Sequence, residues 1–68
     1  MRRMIRHKAT RAFFVHGKWT ENATLAEEFP GLKEVDDARL TFQLQNVEMY
    51  YQIGKEISAD YDFTLPLP

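Results

Sequence analysis

Few residues of this chain could do chemistry, and they lie apart. His16 and Trp19 share the stretch FFVHGKWT, Phe13 to Thr20. A histidine can act as a base or a metal ligand, but catalysis needs an oriented partner and usually a nucleophile, an oxyanion hole or a metal as well. The chain offers no G-x-S-x-G, no H-E-x-x-H and no phosphate-binding glycine loop. The one other histidine, His7, stands at a spacing from His16 that matches no metal pattern. Cysteine is absent, which excludes disulfides and thiolate zinc sites. Asp36-Asp37 and Asp60-x-Asp62 are acidic pairs of the kind that hold a hard cation or share a proton. Neither has the Gly and Glu spacing of a calcium loop; Asp36-Asp37 reads as part of a solvated helix face, and Asp60-x-Asp62 puts both carboxylates on one face if that segment is a strand. No catalytic, cofactor or metal residue is therefore assigned. The chain reads as non-enzymatic, with no small-molecule substrate evident.

Two features remain that could serve binding. The first is aromatic. Trp19, beside a tight turn, either caps the core or stacks on a partner. His16 flanks it, as a turn residue or as part of the same surface. In Val47 to Ile53 the alternation places Val47, Met49, Tyr51 and Ile53 inward and Tyr50 outward, where a tyrosine suits an interface. Trp19, His16 and Tyr50 are the partner-binding candidates.

The second feature is charge. Residues 1–20 carry six cations, Arg2, Arg3, Arg6, Lys8, Arg11 and Lys18, and no acid. Residues 21–68 carry ten acids against Lys33, Arg39 and Lys55, and the whole chain has a net charge of −1. An arm holding Arg2, Arg3, Arg6, Lys8 and Arg11 could meet five phosphates, with a log–log salt slope on duplex DNA of roughly −4 to −5. The plainer reading is that the two halves neutralise each other in the fold, or that the arm is a solvated tail. The acidic remainder would repel a nucleic acid, and an acidic protein surface would suit the arm equally well. Nucleic-acid binding is thus the alternative to protein binding.

These residues must be positioned by a small scaffold. Sixty-eight residues make one domain, and a chain this short buries only about 60% of the surface its unfolded form exposes. At 44% hydrophobic it is too apolar to be disordered. No apolar run approaches a membrane span, and the basic N-terminus lacks the apolar region of a secretory signal, so a cytoplasmic location is expected. Residues 1–8 read as a flexible basic arm and 9–68 as the domain. Ala9 to His16 is rich in strand formers, and Gly17-Lys18 suits a type II′ turn that places His16 opposite Trp19. Asn22 to Phe29 reads as a short helical turn or a strand. Pro30 precedes Leu32, Val35, Ala38 and Phe42 at helical spacing, with Leu40 and Leu44 off the stripe. A hairpin over residues 40–53, turning at Gln45-Asn46, is the rival reading. The helix, ending near Gln43 and followed by strand Val47 to Ile53, accounts for more of the pattern. YDFTL, Tyr61 to Leu65, reads as a last short strand, stopped by Pro66 and Pro68.

The motifs G-K-W-T (17–20), A-x-x-F-P (26–30), L-x-N-V-E-M (44–49) and D-x-x-L-P-L (62–67) resemble a loose group of small bacterial proteins of about this length. The resemblance runs from Phe13 onward. It implies a hairpin, one helix and a following strand, and it implies no activity or cofactor. Together these readings predict an α+β fold: a small two-layer domain of strand-strand-helix-strand (ββαβ) order, with an antiparallel-rich sheet under one helix. The expected core is Phe13, Val15, Trp19, Leu25, Phe29, Leu32, Val35, Phe42, Val47, Met49, Tyr51 and Ile53. A sheet this small has edges close at hand, so a homodimer or a partner-bound form is expected.

Overall fold

The computed structural model describes residues 1–67. It is an α+β domain with one helix, α1 (Leu32–Thr41), and five strands. These are β1 (Arg2–His7), β2 (Phe13–Val15), β3 (Lys18–Thr20), β4 (Val47–Gln52) and β5 (Phe63–Pro66), with a 3₁₀ turn at Ala23–Leu25. All four neighbouring pairs are antiparallel, in the order β3-β2-β1-β4-β5. Pro68, expected to help stop the last strand, lies outside the described residues.

The main departure from the sequence reading is at the N-terminus. Arg2–His7 is not an arm but the central strand, paired along its whole length with β4. Its composition hides this role, because arginines dominate it and only Met4 and Ile5 are apolar. Those two are fully buried, on opposite faces. Ile5 joins Phe14, Phe29, Val35, Val47, Met49 and Tyr51 under the helix. Met4 joins Phe13, Ala26 and Tyr50 on the other side. The sheet is therefore covered on both faces, and Tyr50, expected to point outward to solvent, is only 4% exposed.

The arginines of β1 also hold the chain that covers the sheet. β1 and β2 share only the Arg6–Phe13 pair and then diverge. Residues 27–29 fill the gap: the Glu27 N–H donates to the Phe14 carbonyl at 3.0 Å, and the Phe29 N–H donates to the Arg3 carbonyl at 2.8 Å. This segment crosses the sheet layer, which is why Ala26 belongs to one core and Phe29 to the other. Successive strand residues point to opposite faces, so Arg2 and Arg3 reach its two ends. Arg2 donates to the carbonyls of Ala23 and Ala26, and Arg3 to those of Phe29 and Pro30.

The helix is as expected, and it excludes the rival hairpin over residues 40–53. It ends at Thr41 in a Schellman-type cap. The Leu44 N–H donates to the Arg39 carbonyl and the Gln43 N–H to the Leu40 carbonyl, with Gln43 at φ 52° where glycine is usual. The cap turns Leu44 back onto the core although it lies off the helical stripe. Of the expected core, Trp19, Leu25, Leu32, Phe42 and Ile53 are exposed instead. The helix presents Val35 and Ala38 to the core, while Leu32 at its start and Phe42 at its C-cap stay largely exposed.

Candidate functional site

The candidate site is the free edge of β3. Its hairpin turns at His16-Gly17, one residue earlier than expected, with φ of 45° and 85° at the two positions. Both values are left-handed, the signature of a type I′ loop; the expected II′ turn at Gly17-Lys18 would need positive φ at Gly17 alone. The shift sets the pairs Val15–Lys18, Phe14–Trp19 and Phe13–Thr20, so Trp19 faces Phe14 rather than His16. In a two-residue hairpin the flanking pair, here Val15 and Lys18, exchanges both backbone bonds. Alternation then turns the N–H and C=O of Trp19 outward, to the unpaired side of the sheet.

The side chains around this edge form an aromatic corner. The Trp19 indole, 41% exposed, meets Phe14 at 5.7 Å and His7 at 5.5 Å, both edge to face. Phe42 leans from the helix cap onto Phe14 at 5.2 Å. A β-carbon added at Gly17 would lie 3.1 Å from the Phe42 ring, so the loop and the helix end fit closely only with glycine there. His7, Thr10, Ala12, Trp19 and Glu21 line an open cleft of about 400 Å³. His7 is oriented by its own loop: its Nδ1 accepts the N–H groups of Ala9 (3.1 Å) and Thr10 (3.3 Å). That acceptance places the ring proton on Nε2.

Of the three partner-binding candidates, two lie near this edge. Trp19 is at its centre. His16 is in the loop, with an exposed side chain whose Nδ1 is 3.5 Å from Glu27, while its N–H donates to the same carboxylate at 2.8 Å. Tyr50 lies elsewhere, buried beneath β5's side of the sheet. Its hydroxyl donates to Asp62 at 2.7 Å, and burial, followed by this bond and the charge of Asp62, pushes its pKa up to about 12. Asp62 also accepts from the N–H groups of Ile53 (2.9 Å) and Ser58 (2.8 Å). Burial works to raise the pKa of this carboxyl, but those two N–H groups and the Tyr50 hydroxyl outweigh it, and the net shift is downward.

The five cations assigned to a basic arm are largely engaged inside the molecule. Arg2 and Arg3 bind the carbonyls described above, and Arg2 lies 3.6 Å from Glu28. Arg6 holds its ladder neighbour Glu48 at 2.8 and 2.9 Å and covers the Tyr50 ring at 4.6 Å. Lys8 and Arg11 are exposed, and neither makes an ion pair or side-chain hydrogen bond among the described residues. Two of these cations, Arg2 and Arg6, therefore pair with acids of the second half, while Arg3 is held by carbonyls.

The features missed in the sequence are the outward backbone of Trp19 and the cleft beside it. A type I′ loop is signalled by Gly at its second position, which the His-Gly dipeptide does carry. No helix of the described residues is long and apolar enough to cross a membrane. No family model, no curated protein and no solved structure matches the chain.

Proposed function

We propose that this protein is a small non-catalytic interaction module that binds an extended segment of another chain along β3. The observation that carries the reading is the coincidence, at Trp19, of an outward backbone N–H and C=O with a large exposed aromatic side chain. Strand addition draws affinity from main-chain bonds and specificity from alternate side chains, and one edge residue here offers both. Trp19 is the anchor of the kind that dominates interfaces, and Phe42 widens the apolar surface beside it. A second copy of the chain would satisfy the same edge, giving a homodimer with β3 paired to its counterpart.

Of the five cations of the expected arm, phosphate binding has only Lys8 and Arg11 to draw on, since the three arginines of β1 hold internal partners. Two contacts would give a duplex-binding salt slope of roughly −2 in place of −4 to −5.

The test is selection of short peptides from a random library against the intact chain, followed by binding to Trp19→Ala and Trp19→Pro. Proline removes the outward N–H without costing a bond to β2. The expected result is that selected peptides bind the parent chain, weaken with Trp19→Ala and are lost with Trp19→Pro. Sedimentation at rising concentration shows whether the partner is a second copy. Binding that ignores both substitutions would overturn the reading.

A further inference from the structure

The cleft beside Trp19 has a chemistry of its own, and its use rests on the strand-pairing reading of β3. Two of its walls are flat rings at right angles, the Trp19 indole and the His7 imidazole, with an interplanar angle of 87°. Its rim carries the carboxylate of Glu21, an exposed residue with no ion pair among the described residues. The nearby cations are directed elsewhere. Lys18 points to the opposite face of the strand from Trp19, Lys8 lines a cleft at the helix end, and Arg11 lines one beside Tyr50. An unpaired carboxylate residue thus shares the cleft with an exposed indole and has no cation of its own.

An indole face attracts a cation through its quadrupole, and a carboxylate adds a full charge. An apolar guest would satisfy the rings but leave Glu21 idle. A carboxylate or phosphate guest would be repelled by it. We infer that the cleft receives a cationic side chain, a lysine ammonium or an arginine guanidinium, from the strand that pairs with β3. The register agrees: on an added strand, the residue opposite Trp19 projects to the same face as the indole. The ordered acceptor role of His7 Nδ1 keeps that ring turned as a wall rather than free to rotate. Specificity would then be for a basic residue at alternate positions of the bound segment.

Trp19 is the chain's only tryptophan, so its emission and its indole N–H resonance report the cleft directly. The first probe is tetramethylammonium chloride against sodium chloride at matched ionic strength, on the intact chain. A saturable change in the Trp19 signals with tetramethylammonium alone, weakened several-fold in Glu21→Gln, is the expected result. No saturable change would overturn the inference, whatever peptides do. The second probe takes a selected peptide and replaces its basic residue with norleucine. About a tenfold loss is expected in the parent chain and little further loss in Glu21→Gln. Peptides that bind at β3 but ignore both changes would overturn the cationic guest and leave strand pairing standing. Peptides that fail to bind at all, with tetramethylammonium still bound, would remove strand pairing and leave the cation site.

Discussion

At β3 the outward backbone belongs to Trp19; at β5, the opposite edge, it belongs to Thr64. The second assignment follows from proline chemistry. Pro66 pairs with Glu48 and has no N–H, so that pair cannot exchange both bonds. Alternation gives the mutual bonds to Met49–Leu65 and Tyr51–Phe63 and turns Thr64 outward. Its neighbours on the free side are Pro66, which donates nothing, and Asp62, whose N–H is taken by the Ser58 carbonyl at 2.9 Å. Phe63 and Leu65 are apolar and about half exposed, yet Phe63 is stacked on Tyr51 at 4.6 Å. Both edges are short and both show apolar side chains. The difference is that β5 has its backbone donors removed on either side of Thr64, while β3 sets its free donor beside an open aromatic cleft. Exposed hydrophobic area alone would not have told them apart.

The comparison can be broken most severely by removing what both edges share. Deleting residues 2–7 takes out the central strand and the arginines that hold segment 23–30, and the chain should lose its fold, seen as loss of the cooperative transition in circular dichroism. A folded truncated chain would return these residues to the status of an arm.

Asp62→Ala should act at the β5 edge, through Tyr50, Ile53 and Ser58, and leave β3 untouched. It removes three hydrogen bonds to one carboxylate and should cost roughly 3 kcal/mol in chemical denaturation, given ~1.5–3 kcal/mol for each bond to a charged group and partial rescue by water. Amide exchange should quicken at residues 63–65 and not at 18–20. The same carboxylate sets an acid limb. Its folded pKa lies below the ordinary 3.8, so its contribution is complete above that value and is lost as pH falls through the lowered one. Asp62→Asn should flatten stability against pH in that window.

Gly17→Ala is the counterpart at β3. A left-handed φ of 85° and a ring 3.1 Å from the new carbon should together cost about 1–2 kcal/mol, with exchange quickened at Trp19 and unchanged at Thr64. The smallest effect is expected at the helix end that backs the aromatic corner. Gln43→Gly relieves a left-handed residue in the Schellman cap and should stabilise by about 0.5–1 kcal/mol, measured by the denaturant midpoint.

What could be read from the sequence follows the range of the interactions. Helix α1 was readable because Pro30 and the spacing of Leu32, Val35 and Ala38 are local signals. β4 was readable by alternation, although alternation also sent Tyr50 outward. That inference failed because β4 is buried on both faces, and a doubly covered strand carries no single solvent side. β1 was unreadable for a different reason. Its arginines look solvated, but their partners are carbonyls 21–27 residues away and a glutamate 42 away, contacts that no local pattern announces. In the aromatic stretch the sequence located the hairpin that carries the proposed site. A one-residue shift of the turn decided which residue faces Phe14 and which backbone is free.

The most direct test of the difference between the edges is a set of ¹H–¹⁵N correlation spectra of the intact chain, with and without a peptide selected for binding. The account predicts the largest shifts at residues 18–20, slowed exchange at the Trp19 amide and no change at 63–66. Shifts centred on Thr64 and its neighbours, with Trp19 unmoved, would contradict it.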